Sequence, residues 1–387
     1  MKKDKKIKNI IVSTHDSLCP IKGGGALRTL KVAEELKKRG HNVIIIAPTD
    51  GMGEINGIKV HWLHAPKKQY SQILSSLKFN IRLLRKFFQF IGNTDIFFIH
   101  NTISAAAMPF LKKVFPFIFV LDITDIHAEY LLIGKRNIFE KILTPYLLSY
   151  EYYIIKSADF ISVASKAMKE LLVHKGVVRD KIEVVYDGAD INKFSTEKES
   201  GAELGIIHFG AVDRQHGVEL IIQAAPAIIK EIPGVKFFFI GGGRELTNIK
   251  KLAKDLKVFE HCIFTDYLAC GESRDCLKKA SIGLIPRRDN LPNRIITTLK
   301  IYEYWASATA VIASRLEGIE EVGAGDRDII FFNSGDWKDL TDKIIFLLRN
   351  KQTLDYLINN GLEKVKRFNW DASVSRIVNI IESSDRR

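Results

Sequence analysis

The chain has 387 residues, of which 46% are hydrophobic and 27% are charged. These are the proportions of a globular protein, so they exclude the globally disordered, collagen-like and mucin-like classes. The length exceeds what one hydrophobic core normally serves, and two domains are expected. No uncharged apolar run reaches 18 residues, and the first apolar run is too short for a secretory leader. The four cysteines form no CxxC pair, which favours a cytoplasmic protein without disulfides or a metal site.

The positive charge is concentrated in the first part of the chain. The formal net charge is +13, and residues 1–150 hold 23 Lys and Arg against 11 Asp and Glu. A uniformly basic protein would suggest a nucleic-acid partner, whereas this asymmetry predicts one domain that faces an anionic surface or partner. The alternative, lysine that only maintains solubility, stays open.

From the amino terminus, buried strands alternate with helices. The segment KNIIVSTH predicts the first strand, and ALRTLKVAEELKKRG predicts a helix that ends at Gly40. Further strands are predicted at HNVIIIAP, DIFFIHN, FPFIFVLDITD and ADFISVAS. Continuous apolar strands separated by helices predict a parallel sheet that is covered on both faces.

The same alternation restarts near residue 205. Strands are predicted at GIIHFGAV, VKFFFIGGG, HCIFTDY, IGLIPR and TAVIAS, with helical patterns between them. The fold class is therefore α/β, with two Rossmann-like, doubly wound domains at residues 1–190 and 205–368. A polar linker is predicted at residues 191–204, and a last helix lies within residues 369–387.

Glycine-rich turns lie at a strand-to-helix junction in each half, after the first strand of the first half and after the second strand of the second half. In KGGGALRTL, Gly24 and Gly25 would let the backbone approach a ligand, and the free amides of the next helix would face an anion. The turn IGGGREL repeats the theme at residues 240–246. An ordinary flexible turn explains the first segment equally well and explains the second one better, because α/β proteins use glycine in many such turns.

The most informative segment is LPNRIITTLKIYEYWASATAVIAS. Thr297 and Thr298 precede a helix whose first amides would face the ligand-binding edge of an α/β sheet. Lys300 and Glu303 are three residues apart and share one face of this helix. A lysine can bind a diphosphate, and a carboxylate can accept hydrogen bonds from two ribose hydroxyls. The alternative is an exposed ion pair.

The order and spacing of these motifs resemble the retaining glycosyltransferases of family 4, which have the GT-B fold of two Rossmann-like domains facing across a cleft. The resemblance covers nearly the whole chain and includes the glycine loop, VYDGADINKF, FGAV…HGVELIIQAAP, KIYEYWAS…VIAS and the closing NWD helix. It implies transfer of a sugar, with retention, from a nucleotide-sugar donor held by the second domain to an acceptor held by the first. It also implies no metal cofactor and a last helix that crosses back to the first domain.

The resemblance also implies roles for individual residues. Glu303 matches the second glutamate of the family's Glu-seven-residues-Glu motif and should hold the ribose. Lys300 and the Thr297–Thr298 turn should face the diphosphate, which Gly24 and Gly25 should approach from the first domain.

Several positions depart from the family pattern. The first glutamate of the motif falls at Ile295, and the usual GKPVI turn reads SATAVI. The Arg and Lys that often clamp the diphosphate fall at Ala211 and His216. His216 can donate to a phosphate in the right tautomer, Arg214 is a second candidate, and the sequence also leaves open that neither does so. Because a subgroup of the family carries HG or QG here, we interpret the chain as a variant.

The phrase VLDITDIHAEYL is similar to one in transferases that act on lipid-linked acceptors. Asp125 and His127 follow its apolar strand and are the predicted catalytic residues, which orient the acceptor hydroxyl or accept its proton. The alternatives are a helix N-cap for Asp125 and a surface position for His127. His15 and His100 also end apolar strands, and the sequence leaves open which of the three histidines reaches the cleft.

Residues 67–92 predict a basic amphipathic helix. Apolar residues recur every three or four positions, and Lys78, Arg82, Arg85 and Lys86 lie between them. Such a helix can lie on an anionic membrane surface, which predicts a peripheral protein at the inner face of the membrane. A core-facing helix with a basic outer face is the alternative.

The predicted partners are therefore a nucleotide-sugar donor, a lipid-linked or glycan acceptor and an anionic membrane surface. No nucleic acid is expected, since no nucleic-acid motif occurs. Two other functions remain open on the same fold, a nucleotide-sugar epimerase and a non-catalytic protein that binds anionic lipid or nucleic acid. The sequence does not distinguish the donor base, the sugar, the acceptor or the oligomeric state.

Overall fold

The structure is a computed structural model that describes residues 6–19, 21, 23–49, 51, 53–63, 72–132, 138–268 and 270–383. The chain divides into two compact units, Met1–Tyr186 with Asp371–Arg387 and Asp187–Trp370. It passes once into the second unit and returns to the first through its last helix. The segment predicted as a linker, residues 191–204, lies in the second unit.

The first unit is built on an eight-stranded sheet. Its strands are β1 (Asn9–Ser13), β2 (Asn42–Pro48), β3 (Glu54–Ile55), β4 (Ile58–Leu63), β5 (Ile96–His100), β6 (Ile118–Ile123), β7 (Phe160–Val163) and β8 (Ile182–Val184). Their order is β3-β4-β2-β1-β5-β6-β7-β8, and only β3 and β4 pair antiparallel. Because the order reverses between β1 and β5, the carboxyl ends of these two strands are where a ligand site is expected.

Helices connect these strands. They are α1 (Gly24–Lys38), α2 (Gln72–Phe90), α3 (Met108–Val114), α4 (His127–Tyr130), α5 (Ile138–Ser157) and α6 (Lys166–His174). In α1, Leu30, Ala33 and Leu36 are buried, which is the spacing that predicted the helix. The helix stops just before Gly40, whose φ of +90° is the left-handed conformation that ends helices.

The second unit has a six-stranded, fully parallel sheet. Its strands are β9 (Gly205–Phe209), β10 (Lys236–Ile240), β11 (Cys262–Phe264), β12 (Ile282–Ile285), β13 (Ala310–Ser314) and β14 (Ile330–Phe332). Their order, β11-β10-β9-β12-β13-β14, is that of a Rossmann fold and reverses between β9 and β12. The predicted α/β class, with one doubly wound parallel sheet in each half, is confirmed.

The helices of the second unit cover both faces of this sheet. They are α7 (Glu219–Glu231), α8 (Leu246–Asp255), α9 (Cys270–Asp275), α10 (Leu291–Arg294), α11 (Leu299–Ala306), α12 (Glu317–Glu320), α13 (Trp337–Arg349) and α14 (Lys351–Val365). Apolar residues of α7, α8 and α13 form one core with the strands, as the continuous apolar runs predicted.

The last helix, α15 (Trp370–Ser383), packs on the first unit. Lys8 Nζ donates to the carbonyl oxygen of Ile381 at 3.0 Å, and Arg39 forms an ion pair of 3.1 Å with Glu382. These contacts tie the end of the chain to residues beside β1 and α1. None of the described helices is long and apolar enough to cross a membrane.

A fully buried ion pair joins α1 to the centre of the first sheet. Arg28 donates from Nε and Nη2 to the two carboxylate oxygens of Asp122, at 2.8 and 2.9 Å, and from Nη1 to the carbonyl oxygen of Val185. Ser162 and His100 contact the same carboxylate. Burial by itself would raise the pKa of Asp122, but Arg28 and His100 lower it well below its usual range.

We expect Asp122→Asn to destabilise the first unit by about 3–5 kcal/mol, because buried Arg28 would lose the carboxylate that accepts from its Nε and Nη2. Urea-induced unfolding measures the change. The control is Glu170→Gln, which removes an exposed partner of Arg179 and should leave the unfolding midpoint unchanged. Similar midpoints for both variants would contradict the assignment.

Candidate functional site

Polar side chains collect at the carboxyl ends of β1, β5 and β6 in the first unit. His15 follows β1, His100 ends β5, and His127 follows β6. The rings of His15 and His127 meet edge to face, with centroids 4.9 Å apart. Asp16 lies 3.6 Å from His15 Nε2 and 3.8 Å from His100 Nε2. The structure thus brings all three candidate histidines together, and we call His15, Asp16, His100 and His127 the histidine cluster.

A buried carboxylate fixes the orientation of His100. Its Nδ1 lies 2.8 Å from Asp122 Oδ2. Because a carboxylate can only accept, Nδ1 carries the hydrogen and Nε2 faces the rest of the cluster. Burial lowers the pKa of His100, but Asp122 outweighs it, so the pKa is raised. This imidazole is therefore held in one orientation beside a negative charge.

The glycine loop begins α1 against the histidine cluster. Gly23 has a φ of +89°, and Gly24 is the first residue of the helix. A Cβ on Gly25 would lie 2.4 Å from Asp16 Oδ2 and 2.5 Å from His100 Nε2. Gly25 is thus required for the helix to start here, where the positive end of its dipole favours an anion.

The two predicted catalytic residues lie on either side of the start of α4. Asp125 accepts a hydrogen bond of 2.6 Å from Tyr130 Oη, and it is not the N-cap of α4, which is Ile126. His127 is half-buried, and its backbone N–H is held by Glu151 Oε1 at 2.9 Å. Burial lowers the pKa of His127 to about 3, so its imidazole is neutral at pH 7. The alternative of an N-cap for Asp125 is therefore wrong, whereas His127 keeps part of its surface exposed.

Buried cations collect at the carboxyl ends of β9 and β12 in the second unit. Lys300 is buried in the first turn of α11, and its Nζ lies 3.2 Å from where a Cβ on Gly210, just after β9, would stand. Arg287, two residues after β12, is also buried and donates from Nη1 to Asn293 Oδ1 at 2.7 Å. Its Nε has no partner among the described atoms.

The positive charge of this pair is not neutralised within the part of the chain that the structure describes. Neither Lys300 nor Arg287 lies within 4 Å of a carboxylate there. Burial, with Arg287 next, lowers the pKa of Lys300 to about 7. The exposed Lys300–Glu303 ion pair considered from the sequence is therefore absent. Glu303 raises the pKa of Lys300 in part, but with no carboxylate in direct contact the two buried basic side chains favour the approach of an anion.

Two histidines border these cations. His208 lies in β9 and His216 in the turn before α7, and their ring centroids are 6.3 Å apart. Burial lowers the pKa of both, that of His208 to about 3, so both are neutral at pH 7. His216 Nδ1 is buried without a partner among the described atoms. By contrast, the side chain of Arg214 is exposed to solvent.

The first turn of α11 completes this anion site. Thr297 and Thr298 are buried, and Thr298 is the N-cap but makes no side-chain capping bond. The Ile301 amide donates to the carbonyl oxygen of Thr298, which leaves the amides of Leu299 and Lys300 to face an anion. Glu303 lies one turn further along the helix, where burial raises its pKa to about 7 although Lys300 lowers it in part.

The departures from the family pattern also have structural consequences. Ile295 is buried, and its aliphatic side chain cannot accept the hydrogen bonds that the family's glutamate would accept at this position. Ala308 takes the place of the family's glycine and has a φ of +53°, in the left-handed region that favours glycine. The usual glycine at this turn is thus explained by backbone conformation.

Sequence reasoning missed Arg287, Asn293 and His208 in the second unit and Asp16 and Glu151 in the first. Arg287 had a usable signal, because it is a basic residue directly after an apolar strand, where ligand-binding residues are expected. Asn293 and Glu151 had none, since they act by holding another residue in place.

The helix predicted to contact a membrane has three kinds of surface. On its inner side Phe79, Leu83 and Phe87 are buried. Large apolar side chains are exposed at Leu77 (57%), Ile81 (47%) and Phe88 (54%). Of the predicted membrane residues, Lys78, Arg82 and Arg85 are exposed and Lys86 is half-buried. The helix therefore packs on the core and also presents an exposed apolar row beside its cations.

Two family models match the chain. The model for Glycosyltransferase Family 4 matches residues 22–193, and the model for Glycosyl transferases group 1 matches residues 203–350. Among curated proteins, the sulfoquinovosyl transferase SQD2 of Arabidopsis thaliana is 21% identical over 361 residues, which are 89% of this chain and 67% of the relative. The phosphatidyl-myo-inositol mannosyltransferase of Mycolicibacterium smegmatis is 22% identical over 379 residues, covering 95% of this chain and 92% of the relative.

Solved structures share the whole fold. Sucrose-phosphate synthase from Thermosynechococcus elongatus superposes with a TM-score of 0.81 at 17% identity, covering 97% of this chain and 98% of that one. HepE from Anabaena, in complex with UDP-glucose, superposes with a TM-score of 0.76 at 15% identity, covering 97% and 100%.

We expect the affinity for UDP to fall as pH rises from 7.5 to 9, by up to about tenfold per pH unit. A bound diphosphate favours protonated Lys300, whose pKa of about 7 means that binding must take up a proton above that pH. In this range the terminal phosphate, whose pKa is about 6, is already ionised. Isothermal titration calorimetry measures the affinity at each pH.

The Lys300→Met variant should bind UDP more weakly and without this pH dependence. Lys338→Met is the control, because Lys338 is exposed on α13, and it should behave like the wild type. A wild-type affinity that does not change between pH 7.5 and 9 would contradict the role of Lys300.

Proposed function

Since the chain is a GT-B glycosyltransferase of the family 4 type, we propose that it transfers a sugar, with retention, from a nucleotide sugar to a lipid-linked or glycan acceptor. The observation that carries this proposal is the buried, unneutralised pair Lys300 and Arg287 at the first turn of α11. A diphosphate leaving group supplies the negative charge that this site lacks.

In the proposed reaction, the second unit binds the donor. Lys300, Arg287 and the first amides of α11 stabilise the charge that develops on the diphosphate as the bond to the sugar breaks. His216 donates a further hydrogen bond, and Glu303 accepts hydrogen bonds from the ribose. These protein cations do the work of a metal ion, so no resident metal is part of the proposal. The UDP-glucose bound to HepE supports a nucleotide-sugar donor.

The first unit binds the acceptor in this proposal. His127 is neutral at pH 7 and Asp125 is half-exposed, so either can accept a hydrogen bond from an acceptor hydroxyl and orient it. A lipid-linked acceptor is supported by the name of the mycobacterial relative, a phosphatidyl-myo-inositol mannosyltransferase.

We expect one member of a panel of UDP-, GDP- and ADP-sugars to raise the melting temperature, because a ligand that binds only the native state stabilises it. Glu303→Ala should weaken that binding roughly 10- to 100-fold, since two hydrogen bonds to a charged acceptor are lost. Glu320→Ala, which removes an exposed partner of Arg315, is the control and should bind like the wild type.

The same donor should be turned over in the presence of EDTA, with the anomeric configuration retained in the product by NMR. Binding that is unchanged in Glu303→Ala, with the fold intact, would remove the donor-site assignment. Binding without turnover of any acceptor would favour a non-catalytic protein, and an altered donor sugar would favour an epimerase.

We also propose that α2 carries the protein on an anionic membrane surface. Leu77, Ile81 and Phe88 are exposed along one row of this helix, and cations lie beside that row. Apolar insertion together with attraction to anionic lipid is how amphipathic helices bind a membrane interface.

We expect co-sedimentation with phosphatidylglycerol vesicles to fall when Lys78, Arg82, Arg85 and Lys86 are all replaced by Gln. The control replaces four lysines of the second unit, which removes the same charge from elsewhere: Lys230, Lys251, Lys254 and Lys338. Only the α2 variant should lose binding. Equal loss in both variants would mean that net charge, rather than α2, attracts the protein to the membrane.

A further inference from the structure

A groove of about 620 Å³ lies between strand β4 and helix α2 in the first unit. It is separate from the histidine cluster, none of whose residues lines it. Its described lining includes Lys59 and Trp62 on the strand and Arg82, Arg85 and Lys86 on the helix. Cations from two different elements therefore face one cavity.

The lining of the groove is positive and contains no carboxylate among the described residues. Lys59, Arg82 and Arg85 make no ion pair within 4 Å in the described chain, and Lys86 contacts only Gln89, an uncharged residue. Like charges that converge on a partly enclosed space repel one another and raise the local concentration of anions. The groove thus has the electrostatics of an anion-binding site.

Aromatic and neutral polar groups complete the groove. The side chain of Trp62 is 42% exposed, which is unusual for so large an apolar group. His61 packs its ring against Phe90, with centroids 4.6 Å apart, and its Nε2 is buried without a partner among the described atoms. Burial, with Lys59 and Lys86, lowers the pKa of His61, so it offers a neutral hydrogen-bonding nitrogen beside the cations.

We propose that this groove binds the phosphate group of an anionic membrane lipid, with Arg82 and Arg85 on the phosphate and Trp62 against the glycerol. Arginine forks match phosphate oxygens, and tryptophan prefers the boundary between water and lipid. The exposed row Leu77, Ile81 and Phe88 lies on the same helix, which favours a lipid over a free phosphate. This inference deepens the proposed membrane contact and rests on it for the source of the ligand.

A shaped groove and a diffuse basic surface predict different effects when single residues are substituted. If α2 attracts lipid only through its total charge, each exposed cation should count about equally. If the groove holds a phosphate, Lys59 should matter although it lies on β4, and Lys78 should matter little although it lies on α2. Lys78 is exposed and does not line the groove, so it is a matched control in the same helix.

The test uses the full-length protein with phosphatidylcholine vesicles that contain phosphatidylglycerol, at 150 mM salt. We expect Lys59→Gln and Arg85→Gln each to reduce the partition coefficient about tenfold or more, as for lost bonds to a charged group. Lys78→Gln should reduce it about fivefold or less. Equal losses in all three variants would overturn the groove and leave only a diffuse surface.

A second experiment identifies which soluble compound competes for the groove. Glycerol 1-phosphate should compete with the vesicles and change the tryptophan fluorescence of the wild type, and this change should be absent in Trp62→Phe. Inorganic phosphate should compete at least tenfold more weakly. Equal competition by inorganic phosphate, or stronger competition by a single-stranded oligonucleotide, would overturn a lipid headgroup as the ligand.

The donor site provides an independent readout. The groove variants should keep the wild-type thermal shift with the nucleotide sugar, because Lys59 and Arg85 lie in the first unit. A variant that loses vesicle binding but keeps its thermal shift with the nucleotide sugar would therefore have a defect in the groove and not in the donor site. Conversely, failure of every nucleotide sugar to bind would refute the donor proposal without affecting the vesicle result.

Discussion

The positive charge that α11 and the end of β12 bury together is the constraint on which the functional interpretation depends. Removing a charged group from water is costly unless a partner of opposite sign replaces the water. Lys300 and Arg287 are both buried, yet within the described chain no carboxylate contacts them. The lowered pKa of Lys300 is the consequence, and a bound anion would reverse it. Under the proposed function, the diphosphate of the donor would supply the negative charge that offsets the cost of burying these two side chains.

The first unit contains the opposite case, a buried cation that is fully paired. Arg28 donates to both oxygens of Asp122, and this pair links α1 to β6. The same carboxylate holds His100, so one buried network both stabilises the unit and orients an imidazole of the histidine cluster. A paired charge here supports the structure, whereas the unpaired charges of the second unit are available to a ligand. This difference in pairing, rather than burial, distinguishes Arg28 from Lys300 and Arg287.

Much of the fold could be predicted because the spacing of apolar residues and the signals that end helices are local features of the sequence. Continuous apolar runs predicted the parallel strands, and Gly40 predicted the end of α1. The site was predicted where residue type and helix position suffice, as for Lys300. Arg287 had a local signal in its position directly after an apolar strand, but its burial and its bond to Asn293 depend on how β12 and α10 pack, which no local pattern encodes. Similarly, the meeting of His15 with His127 results from the strand order, in which residues far apart in sequence become neighbours.

If the proposed function is correct, the variant motif changes how the donor is bound. With Ile295 buried in place of a glutamate, this position cannot accept hydrogen bonds from the sugar, so the binding energy must come from elsewhere. The diphosphate site can supply it, since Lys300, Arg287 and the uncapped start of α11 converge there. Interactions that strengthen as charge develops on the leaving group lower the barrier, whereas contacts made equally in the ground state only tighten binding. A site that has lost a sugar contact but kept its diphosphate cations would therefore lose selectivity for the sugar before it loses catalysis.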